Sequence, residues 1–210
     1  MKKLIIVGAG GFGREVYNYA LSVREQQQGW EIAGFLDDNP GALDGYHYGL
    51  PIVGSIRDYV PRENDLFAMA IGTPTQQKLA IAESLTARGA EFVTLIHPYA
   101  GRSLNATIGK GCVIAPWAGI SCDTRIGDFV TINAYASLGH DAIVDDGCTI
   151  SSYASISGYA KLGKGVLVGI HGCVLPGGVI GDYATVGSGS VVVKNVKPHI
   201  TVMGVPARKL

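Results

Sequence analysis

The chain has 210 residues, enough for one large or two small domains, and a formal net charge of zero with only 16% charged residues. No basic stripe argues for nucleic acid, and no apolar run approaches the ~20 residues of a membrane span. Cys112, Cys122, Cys148 and Cys173 lack C-x-x-C spacing, so reduced, buried thiols of a cytoplasmic protein are expected rather than a metal cluster.

The first 98 residues alternate strands and helices. Lys2 to Val7 is a short apolar strand, too short for a signal segment. Gly8-Ala9-Gly10-Gly11-Phe12-Gly13 follows, then a helix expected from Arg14 to Gln28 and stopped by Gly29. Glu31 to Leu36 is a second strand, ending in Asp37-Asp38-Asn39-Pro40. Pro40 to Pro51 reads as a loop. Leu66 to Ile71 is a third strand closed by Gly72-Thr73-Pro74, and Thr75 to Arg88 a helix with Leu79, Ala82 and Leu85 on one face. Phe92 to Ile96 is a fourth strand, and His97-Pro98 breaks the pattern. This alternation implies a parallel sheet.

The first turn fits G-x-G-x-x-G between a strand and a helix, where glycines let the backbone approach a phosphate. A dinucleotide fold needs a second mononucleotide half, and the chain has none. One nucleotide fits better than two, with Asp37 or Asp38 at the end of the second strand.

From residue 99 the chain changes period. Every sixth residue from Ile108 to Val192 is Ile, Val or Leu, fifteen stops without a miss. A second column, including Cys112, Ala118, Thr124, Ala136, Cys148 and Ala154, is small or β-branched. A hexapeptide period marks a parallel β-helix, in which each unit is one short strand and a corner.

Most corners pair Gly with a charged or small residue, but Leu138-Gly139-His140-Asp141 carries a histidine beside a carboxylate. If residues eighteen apart stack, His140 lies next to Gly158, and an open notch is expected there. A base beside free backbone N–H groups suits acyl transfer. His171 has no acidic neighbour and reads as structural or as a cofactor wall. His47, His97 and His199 read as satisfied or exposed, and Trp117 as packing.

Both halves together resemble the bacterial sugar acyltransferases grouped with the sialic acid O-acetyltransferases, which include enzymes that N-acetylate a 4-amino sugar on a nucleotide carrier. The motifs are Ile5 to Gly13, Gly34 to Asn39, Ala70 to Gly72, Leu95 to Pro98, Gly139 to Asp141, Gly169 to Pro176 and Gly204 to Ala207. The resemblance implies an N-terminal Rossmann-like domain (1–98) and a left-handed parallel β-helix (99–210) with three units per coil.

It also implies a homotrimer with acetyl-CoA between adjacent β-helices, a nucleotide-linked sugar on the front domain, and no metal. His140 would be the general base and Asp141 its support. Gly10, Gly11, Phe12, Gly13, Asp37, Asp38, Gly72, Thr73 and Asn133 would meet the sugar nucleotide. Thr149, Gly158, Ile170, Gly187 and Ser188 would meet the acetyl donor. Two residues depart from many relatives, which have His at the positions of Phe12 and Thr149. N-acetylation of an amino-deoxy sugar is the leading reading. O-acetylation of sialic acid or another sugar hydroxyl and a non-catalytic nucleotide-sugar-binding trimer remain open. A serine acetyltransferase usually has a helical N-terminal domain, so the strand–helix alternation counts against it.

Overall fold

The computed structural model describes residues 1–24 and 29–210. The front unit contains β1 (Lys2–Val7), α1 (Gly11–Arg24), β2 (Trp30–Leu36), β3 (Ile52–Gly54), β4 (Asp65–Met69), α2 (Thr75–Ala87) and β5 (Glu91–Phe92). The strands form one parallel sheet in the order β3-β2-β1-β4-β5. Alternate residues of β1 face opposite sides, as the period of a strand requires. Leu4 and Ile6 pack with Val16, Ala20 and Val23 of α1. Ile5 and Val7 pack with Leu79, Ala82 and Leu85 of α2.

Three differences from the sequence expectations have local causes. Helix α1 starts at Gly11, three residues early, and its expected continuation over 25–28 lies outside the described residues. Strand β3 follows directly on the expected loop in a stretch assigned to no element, because its three residues are too few to show a period. The expected strand Phe92 to Ile96 is divided between two sheets. The Val93 N–H donates to Phe67 O of the front sheet (2.9 Å), whereas the Leu95 N–H donates to Cys112 O of the solenoid (2.8 Å). Apolar periodicity cannot register that change of partner.

β6 (Leu95–Ile96) opens the solenoid, pairing with Val113–Ile114. As far as Val192, every coil adds one two-residue strand to each of three parallel sheets, here faces I, II and III, which begin at β6, Gly101 and Thr107. The register is eighteen residues: Ile120 pairs with Leu138, Leu138 with Ile156 and Ile156 with Val174. The aliphatic and small columns fill the prism, from Ile114 and Ala118 to Val186 and Ser190. Polar members of the small column satisfy themselves inside: Thr124 Oγ1 donates to Ser121 O (2.9 Å), and Cys148 Sγ to Gly163 O (3.0 Å). Burial pushes the Cys112 and Cys148 thiols up to about 12. The expectation of buried thiols fails for Cys122, which is exposed at a corner, and for Cys173, which is half-buried on the outer surface of face II.

From Gly111 to Gly189 each corner has one left-handed residue, and many of these are not glycine. Trp117, Tyr135, Tyr153 and His171 have φ of 55–62° on the corner joining faces I and II. Such a conformation costs roughly 1–2 kcal/mol per residue. Tyr99 and these four form a ladder, with ring centroids 6.0, 5.1, 4.8 and 5.0 Å apart in succession. Stacked aromatic pairs contribute about 0.5–1.5 kcal/mol beyond their burial, comparable with the strain. Trp117 is thus a packing residue, and His171 is the last ring of the stack.

Helix α2 seats the front unit on the corner joining faces III and I. Thr75 Oγ1 donates to Gly165 O (2.7 Å). Leu79 fills the space above Gly147, where an added Cβ would come within 2.5 Å of its Cγ.

Candidate active site

The II–III corner presents His140 and Asp141. Asp141 takes the left-handed conformation (φ 57°), and its carboxylate Oδ2 lies 2.9 Å from His140 Nδ1. A carboxylate only accepts, so Nδ1 carries the hydrogen, and in the neutral imidazole this leaves the lone pair on Nε2. Both side chains are about half exposed.

The eighteen-residue stack does place Gly158 beside His140, but the notch is not open. The imidazole itself fills it: a Cβ added to Gly158 would lie 2.7 Å from Nε2 and 2.8 Å from Cε1. The edge of the contact is set by Tyr159, whose ring is 5.0 Å from the imidazole and nearly perpendicular to it. Tyr159 N–H also donates to His140 O (3.0 Å), fixing the backbone under the ring. Among the described residues nothing accepts the Gly158 N–H.

The second candidate region is the point where the strand order reverses, between the carboxyl ends of β1 and β4, where open parallel sheets usually form a ligand crevice. Gly8 (φ 105°) and Gly13 are demanded by packing: a Cβ on Gly8 would meet Ile71 Cδ1 at 2.8 Å, and one on Gly13 would strike Gly8 O. Gly10 and Gly11 differ, because a Cβ on either would meet nothing within 4 Å. Their glycines leave the N-terminus of α1 bare on the side open to solvent. Phe12 stands across this crevice, 3.7 Å from where a Cβ of Gly72 would be, with Thr73 exposed beyond.

Asp37 Oδ2 accepts the Ala9 N–H (2.9 Å), and Oδ1 accepts the Asn39 N–H (2.9 Å), so its carboxylate shapes the glycine turn. Asp38 accepts from Ser55 Oγ (2.7 Å), which holds its pKa below the usual carboxylate range, with the Arg57 N–H adding to the effect. Arg14 lies 3.8 Å above the Tyr46 ring and adds a cation to the rim.

The remaining expected residues are not gathered at His140. Asn133, Ile170, Gly187 and Ser188 lie on the I–II corner, one strand of face II away from the histidine's corner. Thr149 requires a correction. It is buried beneath α2, with its hydroxyl donating to Gly72 O (2.6 Å) and accepting from Lys78 Nζ (2.9 Å). A hydroxyl so engaged is not free for an acetyl donor. Sequence reasoning missed Lys78, which is fully buried. Its signal was position: Thr75, Lys78, Leu79, Ala82 and Leu85 share the buried face of α2, and a lysine interrupts an otherwise nonionic stripe. A cleft of 380 Å³ between α2 and the III–I corner, lined by Leu79, Phe129, Lys110 and Lys164, is on a different corner from His140.

Residues 3–85 match the PglD N-terminal domain, and residues 123–158 the bacterial transferase hexapeptide of six repeats. The chain superposes on the acetyltransferase domain of PglB from Neisseria gonorrhoeae in complex with acetyl coenzyme A, with 30% identity and a TM-score of 0.88, covering 100% of this chain and 99% of that one. The chain belongs to the hexapeptide-repeat sugar N-acetyltransferase family. A second family likeness is PerB from Caulobacter crescentus in complex with CoA and GDP-perosamine, at 25% identity and a TM-score of 0.89, covering 100% and 98% of the two chains. UDP-N-acetylbacillosamine N-acetyltransferase of Bacillus subtilis is 36% identical over 118 residues, 54% of this chain. That alignment spans about half the length of the curated enzyme (51%). Among the described residues, no group of three or more His, Cys, Asp or Glu could hold a metal, and no helix is long and apolar enough to cross a membrane.

Proposed function

We propose that the protein transfers the acetyl group of acetyl-CoA to the amine of a nucleotide-linked amino-deoxy sugar. The observation that carries this reading is the His140–Asp141 pair lying against Gly158, with Nδ1 engaged by the carboxylate and Nε2 turned toward the glycine.

The amine nitrogen attacks the thioester carbonyl, and Nε2 of His140 takes the proton that the nitrogen loses. Asp141 stabilises the resulting imidazolium. The Gly158 N–H donates to the oxyanion of the tetrahedral intermediate. Collapse expels the CoA thiolate, which receives the proton back from His140. General-base assistance of this kind contributes typically ~10²–10⁴-fold. The bare N-terminus of α1 at Gly10 and Gly11 receives the nucleotide phosphates, Gly13 permits that close turn, and Phe12, Gly72 and Thr73 wall the sugar. Asp37 and Asp38 shape the rim on the nucleoside side.

A homotrimer in the cytoplasm accounts for the scattered residues. Asn133, Ile170, Gly187 and Ser188 would complete the site from the I–II corner of a neighbouring copy. Face II between the two corners carries small outward residues, Gly119, Ser137 and Ser155, which permit close approach. The coil that carries His140 also begins and ends at Thr131 and Thr149, under the sugar-nucleotide crevice. With parallel solenoid axes, one copy's histidine therefore stands level with another copy's crevice. Supporting relatives include PglB with acetyl coenzyme A and PerB with CoA and GDP-perosamine.

A thermal-shift panel of UDP-, dTDP-, GDP- and CMP-linked amino sugars, followed by acetyl-CoA consumption with each, tests the reading. One carrier should stabilise the protein and support turnover. Stabilisation without acetyl-CoA consumption by any amino sugar would favour a non-catalytic binding module.

A further inference from the structure

Lys78 is fully buried, yet its ammonium group has three oxygens around it. Nζ donates to Thr149 Oγ1 (2.9 Å), to Cys148 O (3.0 Å) and, more weakly, to Thr131 Oγ1 (3.4 Å). An ammonium group has three donors and no acceptor. Thr149 Oγ1 must therefore accept from Lys78, which leaves its own hydrogen for Gly72 O, 2.6 Å away. The chain of bonds has one direction: Lys78 to Thr149 to the carbonyl of Gly72.

Its two ends lie in different parts of the molecule. Thr131, Cys148 and Thr149 bracket the coil that carries His140. Gly72 ends the segment after β4 and faces Phe12 across the sugar-nucleotide crevice. Lys78 sits one helical turn beyond Pro74, and its N–H closes the first turn of α2 on Pro74 O (3.1 Å). One amine thus ties the start of α2, the wall of the crevice and the catalytic coil together.

An apolar side chain at residue 78 could fill the same space, and burying a charge is costly unless it is fully hydrogen-bonded. The amine does what an apolar side chain cannot: it fixes the direction of the threonine hydroxyl. We infer that Lys78, acting through Thr149, is a positioning residue that holds the Gly72 wall of the nucleotide-sugar site at a fixed place relative to the solenoid. This rests on the proposed function, because it assigns the relay to that substrate.

Steady-state kinetics and calorimetric binding on Thr149→Val, Thr149→Ser and Lys78→Met test the inference, with GDP-perosamine and UDP-linked amino sugars as probes. Valine keeps the shape of threonine and removes the hydroxyl. Thr149→Val raises KM and Kd for the sugar nucleotide about tenfold, as expected for a buried carbonyl that loses its donor. KM for acetyl-CoA stays within about twofold. Thr149→Ser restores the wild-type KM, and Lys78→Met reproduces the valine defect. If Lys78→Met does not fold, the valine–serine pair decides.

Equal rises in both KM values, an unchanged sugar KM in Thr149→Val, or a serine variant as impaired as valine would overturn the inference. If no nucleotide sugar binds the wild type, the proposed function fails and the relay's assignment fails with it. If the wild type binds and Thr149→Val binds equally well, the relay alone fails.

Discussion

The imidazole of His140 occupies the space that a side chain at residue 158 would fill: a Cβ there would lie 2.7 Å from Nε2. The base is therefore seated by an absence, one coil away and eighteen residues along the chain. Gly158→Ala should displace the ring and lower kcat about 10²-fold, since a misplacement near 1 Å has that scale of effect. Position 158 is half-exposed at a corner, so the melting temperature should stay near that of the wild type. Unchanged kcat in a folded Gly158→Ala would show that the observed ring position is not the working one.

Asp141 makes one contact with the base, at 2.9 Å to Nδ1. Asp141→Asn keeps the size and removes the charge that stabilises the imidazolium. We expect kcat to fall by about 10-fold or more, within the range of acid–base assistance, with substrate KM values little altered. A larger effect on KM than on kcat, read from steady-state kinetics, would assign Asp141 to binding instead.

Lys78 gives a pH signature in stability. Burial lowers its pKa from 10.5 to about 8. The groups facing it from the solenoid are the Cys112 and Cys148 thiols, which stay neutral because burial raises them to about 12. Between pH 8 and 10.5 the unfolded chain binds the lysine proton and the folded chain does not. Unfolding free energy contributed by this residue therefore rises with pH across that window. Denaturant titrations should show wild type gaining stability relative to Lys78→Met as pH climbs. A difference that is flat, or that shrinks with pH, would contradict the assignment.

The aromatic ladder separates stacking from backbone strain. Tyr135 has φ 62° and stacks on Trp117 and Tyr153. Tyr135→Ala loses both stacks and keeps the strain, whereas Tyr135→Gly loses the stacks and relieves it. The glycine variant should be more stable than alanine by about 1 kcal/mol, measured by equilibrium unfolding. The reverse order would mean that the corner conformation carries little strain.

How much of this was legible in the sequence differs by region. The six-residue period from Ile108 to Val192 predicts the solenoid, because every unit repeats the same inside-or-outside choice, whereas the eighteen-residue stacking register comes from the family resemblance, since a period alone does not set three units per coil. From that register follows the neighbourhood of His140 and Gly158, although periodicity could not show that the ring fills the gap. The division of the segment from Phe92 to Ile96 between two sheets was hidden, since strand pairing depends on partners distant in the chain. Thr149 was hidden for a similar reason. Within its repeat it reads as an outward residue, and only the docking of α2 buries it.

Product analysis of wild type and His140→Ala with acetyl-CoA and nucleotide-linked amino sugars tests the central claim most directly. Mass spectrometry should show the wild type adding one acetyl group to the amine of one such sugar. His140→Ala, with unchanged fold and oligomeric state, should form that product ~10²–10⁴-fold more slowly. Near-wild-type product formation by His140→Ala, or no acetylated sugar from the wild type with any carrier, would contradict the account.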